Sequence, residues 1–232
     1  MTPTIALFPA RGGSKRIPFK NRRNFHGKPM ISWPIRTAME SNVFDRLIVS
    51  TDDPEIAKVA REAGAETPFM RDAALSDDMT GTSAVIVDAI VRLDLPDDAI
   101  IACIYPTAVF LEASDLNSGV EKLVNSDLAW VFTVCEFSSP IQRAYRRTDA
   151  GLFPVNRDAM PCRSQDLDPH YYDAGQVYFA QAATWKTPGA HVWDGADGII
   201  LPGDRCIDID TEEDWQFAVK LFKQKFSEKL IT

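Results

Sequence analysis

At 232 residues, 45% hydrophobic and 25% charged, the chain has the length and composition of one large globular domain. No apolar run approaches the ~20 residues that span a bilayer, and no signal-like apolar segment opens the sequence, so a cytoplasmic protein is expected. Net charge is -8, yet eight Lys and Arg (Arg11, Lys15, Arg16, Lys20, Arg22, Arg23, Lys28, Arg36) and no Asp or Glu fall in residues 1–36, which implies a focused anion site and argues against a broad nucleic-acid face.

In chain order, Thr4–Phe8 reads as a buried strand ending at Pro9, and residues 10–28, rich in Gly, Lys, Arg and Asn, as a loop. Met30–Ser41 reads as a helix with Pro29 at its start, Arg46–Ser50 as a strand, and Pro54–Ala63 as a helix stopped by Gly64. Helices over Gly81–Leu93 and Glu112–Val124 alternate with strands over Ala99–Tyr105 and Leu128–Val134. That alternation implies βαβ units and a mostly parallel sheet. The pattern breaks at about 137–172, a polar stretch rich in Arg and aromatics that is expected to protrude from a single domain spanning 1–232. Gly175–Ala180 and Gly198–Leu201 are strand-like again. Thr211-Glu-Glu-Asp214 is a capping-box pattern, and Trp215, Val219, Phe222 and Phe226 then recur at helical spacing as a core face. The four cysteines are far apart without a CxxC pair, which favours free thiols.

The first strand runs directly into Pro9-Ala-Arg-Gly-Gly-Ser-Lys-Arg-Ile-Pro-Phe-Lys-Asn21. Gly12 and Gly13 permit positive φ and close backbone approach, and Arg11, Lys15 and Lys20 supply cations beside them. The carboxyl end of a strand is where open α/β sheets bind ligands. The loop is neither a Walker A nor a GxGxxG motif. Far along the chain, Asp208 and Asp210 stand two apart in an extended Ile-Asp-Ile-Asp run, so both carboxylates are expected on one side. Such a pair suits Mg²⁺, which keeps water and phosphate oxygens as further ligands; the alternative is a strand edge leading into a helix cap. His26, His170 and His191 show no metal-ligand spacing and read as structural.

The string Pro9-Ala-Arg-Gly-Gly-Ser-Lys15, followed by Ile17-Pro-x-Lys-Asn21, resembles the nucleotide-binding signature of the acylneuraminate cytidylyltransferases. The likeness continues at Asn24–Pro29, Val49–Asp53 and Asp208–Trp215, with Tyr105-Pro-Thr107 in place of Gln-Pro-Thr. Phe69–Arg71, Asp77–Thr82, Cys103–Ala108, Arg163–Leu167 and Tyr172–Tyr178 resemble most the branch of that family acting on pseudaminic acid. Arg16 stands where sialate enzymes often carry glycine. The resemblance implies a Rossmann-like α/β nucleotidyltransferase with a protruding dimerisation segment, a homodimer, and CMP transfer from CTP to a nine-carbon sugar acid with Mg²⁺. It implies that Ala10, Arg11, Gly12, Gly13, Ser14, Lys15 and Lys20 hold the triphosphate, with Arg11, Lys15 and Lys20 catalytic, and that Asn21, Arg71 and Thr82 surround cytosine. It further implies that Tyr105, Arg163, Gln165, Asp173, Gln176 and Tyr178 read the sugar and that Asp208 and Asp210 hold the metal. Val109 and Phe110 are expected to give the sugar pocket an apolar lining beside Tyr105. Sialate, legionaminate and 3-deoxy-octulosonate are alternative acceptors. A non-catalytic nucleotide-binding module is the alternative of another kind, and the retained Lys20, Asp208 and Asp210 count against it.

Overall fold

The structure, a computed structural model, describes residues 2–77 and 79–225, so the expected core position Phe226 lies outside the described residues. Ten strands are described: β1 (Thr4–Pro9), β2 (Asn24–Phe25), β3 (Lys28–Pro29), β4 (Arg46–Ser50), β5 (Ile100–Ile104), β6 (Trp130–Glu136), β7 (Tyr145–Thr148), β8 (Gly151–Pro154), β9 (Tyr171–Gln181) and β10 (Ala196–Leu201). Six α-helices accompany them: α1 (Ser32–Ser41), α2 (Pro54–Glu62), α3 (Thr82–Arg92), α4 (Ala113–Val124), α5 (Ala182–Lys186) and α6 (Glu212–Lys225). No helix among the described residues is long and apolar enough to cross a membrane.

The main sheet has the order β10-β6-β9-β5-β1-β4. Its pairings are parallel except those of β9, which runs antiparallel between β5 and β6. The expected mostly parallel α/β sheet is therefore present, with one reversed strand. Residues alternate between two cores as a strand's period of two requires. Ala6, Phe8, Ala102 and Ile104 face α1, α2 and α4, whereas Ile5, Leu7, Ile101 and Cys103 face α3 and α5. Because β1 pairs with β4 on one side and β5 on the other, successive connections leave its carboxyl end in opposite directions. A crevice opens at that switch point.

Three local expectations are corrected. Pro29 does not start a helix; it pairs with Asn24 in the β2–β3 hairpin, and Pro34 occupies the first turn of α1. The short helix α5 was not foreseen, since five residues carry too little periodicity. Residues 207–210 are not a strand but an irregular segment between a short 3-10 turn and α6.

A third apolar cluster matters most for position. Ile17, Phe25, Met30, Trp33, Phe110, Ile209, Trp215 and Phe222 are buried together. Phe25 meets Trp215 and Phe222 edge-on, with centroids 5.4 and 5.2 Å apart. His26, structural as expected, stacks on Phe222 and hydrogen-bonds the Val219 carbonyl. Arg23 adds a two-pronged hydrogen bond to Glu212 at 2.6 and 2.9 Å, which holds that carboxyl down to about 2. Between Glu136 and Tyr171 the chain leaves the sheet, and the β7–β8 hairpin exposes Tyr145, Leu152, Phe153 and Val155 nearby. Cys103 and Cys135 are buried, Cys206 is half-buried and Cys162 exposed, all as free thiols.

Candidate active site

A cavity of about 570 Å³ opens at the carboxyl ends of β1 and β5. It gathers Arg11, Ser14, Lys15, Arg16, Lys20 and Asn21 from the loop after β1, Arg71 and Thr82 from the middle of the chain, and Asp208 and Asp210 from beyond β10. Residues separated by nearly 200 positions thus share one wall. The apolar cluster explains how: Ile17 of the cationic loop and Ile209 between the two aspartates are both wholly buried in it. With Ile209 pointing inward, Asp208 and Asp210 are turned outward to the cavity. Lys20 reinforces the junction, its Nζ donating to the Ile209 carbonyl at 2.7 Å and lying 3.2 Å from Asp210 Oδ1.

The carboxylates are held from the other side by the cap of α6. Asp214 Oδ2 accepts from the backbone N–H of Asp210 at 3.1 Å and of Thr211 at 2.8 Å, while Asp214 N–H donates to Thr211 Oγ1 at 3.2 Å. Crowding by protein around the Asp208 carboxyl, then the Asp210 charge, raise its pKa above the ordinary value. Two converging carboxylates attract a cation. Among the described residues no group of three or more His, Cys, Asp or Glu is placed to hold a metal, so no closed metal cage exists. Two carboxylates facing a cluster of Lys and Arg fit Mg²⁺, whose other ligands are water and substrate phosphate oxygens.

The two glycines act differently from expectation. Neither Gly12 nor Gly13 has a positive φ. Gly12 is needed because a Cβ there would stand 2.8 Å from the Asp53 Cβ, while a Cβ at Gly13 would meet nothing within 4 Å. Gly12 N–H donates to Asp52 Oδ1 at 2.9 Å, and Asp53 caps α2. Asp52 also lies 3.6 Å from Arg71, whose side chain is only 3% exposed. Arg71 Nη2 has no hydrogen-bond partner, and burial lowers its pKa with Asp52 opposing. Asn21 Nδ2 donates to the Arg11 carbonyl at 2.9 Å, so this side chain also shapes the loop. Sequence reasoning had given no role to Asp52, Asp77, Thr80 or Thr107. The last three line the cavity, and all four lie within or beside strings that were legible.

A second cavity of about 400 Å³ shares Thr82 and Tyr105 with the first. Its wall is aromatic: Phe132, Tyr171, Tyr172, Tyr178, Trp185 and Trp193, with Asp173 the one charged side chain among the described residues that line it. Tyr178 donates to Asp173 Oδ2 at 2.8 Å, and Tyr105 and Thr82 hydroxyls are 3.3 Å apart. Burial first, and then neighbouring groups, push both tyrosines above their ordinary pKa, so they stay protonated. Several expected sugar readers are elsewhere. Gln176 is buried, its Nε2 donating to the Arg205 carbonyl, and it lines neither cavity. Val109 and Phe110 pack in the apolar cluster under the cationic loop rather than around a ligand. Ala10 is likewise wholly buried, its N–H donating to the Ser50 carbonyl. Arg163 and Gln165 lie on the protruding segment outside both cavities, with Arg163 paired to Asp166 at 2.7 Å.

Residues 5–175 match the model of the cytidylyltransferase family. The chain belongs to that family. It is an enzyme that transfers CMP from CTP. The chain is 38% identical over 222 residues to the pseudaminic acid cytidylyltransferase of Campylobacter jejuni, covering 94% of this chain and 96% of that one. It is 27% identical over 242 residues to the CMP-N,N'-diacetyllegionaminic acid synthase of Legionella pneumophila, again covering 94% and 96%. A solved CMP:2-keto-3-deoxy-manno-octonic acid synthetase complexed with CTP superposes with a TM-score of 0.70 at 16% identity, over 97% of this chain and 100% of that one.

The glycine geometry makes a direct prediction. Gly12→Ala should cost about 1–3 kcal/mol of stability through the forced contact with Asp53 and lower CTP turnover. Gly13→Ala should leave the unfolding midpoint unchanged. Urea unfolding and pyrophosphate release on both variants check this; equal stability of the two would contradict the packing assigned to Gly12.

Proposed function

We propose that this enzyme joins CMP from CTP to pseudaminic acid, a nine-carbon acidic sugar, and releases pyrophosphate. One observation carries the reading: a cavity of cations and paired carboxylates adjoins, at Thr82 and Tyr105, a cavity lined by aromatic rings. The first suits a triphosphate and the second a sugar bearing acylamino and methyl groups. The 38% identity to the Campylobacter enzyme supports the same acceptor.

In this reading Arg11, Ser14 and Lys15 hold the β- and γ-phosphates, while Arg71, Asn21 and Thr82 surround the cytosine. Asp52 keeps the loop and Arg71 in register, accepting from Gly12 N–H and balancing the buried guanidinium. The anomeric hydroxyl of the sugar, its proton passing to water, attacks the α-phosphorus in line, the new P–O bond forms, and the bond to pyrophosphate breaks. Lys20 meets the charge that develops at the α-phosphoryl oxygens. Asp208 and Asp210 hold Mg²⁺, which when bound neutralises charge on the triphosphate and the departing pyrophosphate.

Among the described residues the aromatic cavity has no Lys or Arg in its lining for the sugar carboxylate. Arg163, 73% exposed on the protrusion, is the group we assign to that task in a homodimer whose hairpin reaches the other copy's cavity. Exposed Tyr145, Leu152, Phe153 and Val155 support such a contact. Free thiols and the use of CTP suit a cytoplasmic enzyme. The product is an activated sugar donor for glycosylation of surface structures such as flagella.

Two outcomes follow. Asp208→Asn and Asp210→Asn should each stay folded and lower kcat/KM at least ~10²-fold; EDTA should abolish turnover and Mg²⁺ restore it. Near-normal turnover in both variants would remove the metal pair from the mechanism.

The acceptor is tested by kcat/KM with CTP across a panel of sugar acids. Where Phe132, Val134, Val192 and Trp193 form its wall, the aromatic cavity accepts the methyl end of pseudaminate, and the terminal hydroxyl of sialate placed against them goes unpaired, at about 1–3 kcal/mol. That corresponds to roughly ten- to two-hundred-fold discrimination. Pseudaminate should be best, legionaminate and sialate poor, and 3-deoxy-octulosonate nearly inactive. Sialate turned over as well as pseudaminate would overturn the acceptor while leaving cytidylyl transfer intact.

A further inference from the structure

Two cations hold Asp210, and they are held very differently. Lys20 is only 18% exposed and is anchored by its 2.7 Å hydrogen bond to the Ile209 carbonyl. Arg16 reaches Asp210 Oδ2 at 2.8 Å with a side chain 66% exposed to water. Each oxygen of Asp210 therefore has a cation, Oδ1 from Lys20 and Oδ2 from Arg16. Asp208 feels both positive charges without ion-pairing with either. A divalent cation approaching these carboxylates alone must displace a guanidinium and then sit beside it. A triphosphate changes the balance, because its oxygens accept the positive charge that Asp210 gives up.

We propose that Arg16 makes cation binding wait for the nucleotide: it occupies Asp210 in the free enzyme and transfers to the triphosphate when CTP enters. The inference rests on the reading of Asp208 and Asp210 as the metal pair. Arg16 acts on the carboxylate it covers and on the phosphates it later meets, so it couples two ligands. Removing it should move their affinities in opposite directions, which a merely structural surface residue would not do. An exposed ion pair contributes modestly, so the expected changes are small multiples rather than orders of magnitude.

The test uses Mn²⁺, visible by electron paramagnetic resonance, titrated into nucleotide-free enzyme. Arg16→Gln should bind Mn²⁺ about two- to fivefold tighter than the unaltered protein, and should bind CTP more weakly in the presence of the metal. Arg16→Lys, which keeps the charge, should stay close to the unaltered protein in both. Mn²⁺ binding no tighter in Arg16→Gln, while Asp210→Asn weakens it, overturns the role of Arg16 and leaves the metal pair standing. Mn²⁺ affinity unchanged in both Asp208→Asn and Asp210→Asn overturns the metal pair, and the role of Arg16 with it.

Discussion

The site depends on two isoleucines buried in one aromatic cluster. Ile17 belongs to the cationic loop after the first strand, and Ile209 to the segment before the last helix. Removing such a side chain from a core costs about 2–5 kcal/mol, so the cluster holds these distant segments at one separation. Everything charged is mounted on that separation. Lys20 spans it to the Ile209 carbonyl, Asp208 and Asp210 flank the buried Ile209, and the cap of α6 grips the backbone of Asp210 through Asp214. Cations and carboxylates facing across a cavity would otherwise collapse or drift apart; an apolar brace behind them keeps both available to a ligand.

Topology supplies the rest. The crevice at the carboxyl end of β1 exists because connections leave it in opposite directions. On one flank β4 ends in Thr51-Asp52-Asp53, which ties the loop backbone, Arg71 and α2 together. On the other, β5 is followed at once by Tyr105, which lines both the charged and the aromatic cavity. The reversed strand β9 carries Asp173 and Tyr178 alongside it. A polar, cationic chamber and an aromatic one thus meet at two hydroxyl groups, which matches an enzyme that must bring a nucleotide and a sugar into line.

The parts that were legible in the sequence are those encoded locally. Strand and helix order followed from periodicity, and the cationic loop and the Asp-x-Asp pair are short strings whose chemistry is visible residue by residue. The aromatic cavity was legible only in part: Tyr105, Asp173 and Tyr178, expected to read the sugar, line it, and the rest of its wall was not foreseen. That unforeseen part, Phe132, Trp185 and Trp193 among it, comes from β6, α5 and the loop before β10, which no short string joins. Phe110 and Phe132 look alike in a sequence, yet one braces the loop and the other lines the cavity. Gln176 misled because a polar residue in a strand reads as a ligand contact until its buried partner, the Arg205 carbonyl, is seen. Gly12 was singled out for the wrong reason: its constraint is the Asp53 side chain beside it, not its own backbone angle.

The central claim is that the triphosphate binds across the gap set by Ile17 and Ile209. A crystal structure with Mg²⁺ and a non-hydrolysable CTP analogue tests it most directly. The account predicts phosphates held by Lys15 and Lys20, with the metal ion on Asp208 and Asp210 beside them and the cytosine toward Arg71. An analogue seated in the aromatic cavity, or phosphates out of reach of Lys20, would contradict it.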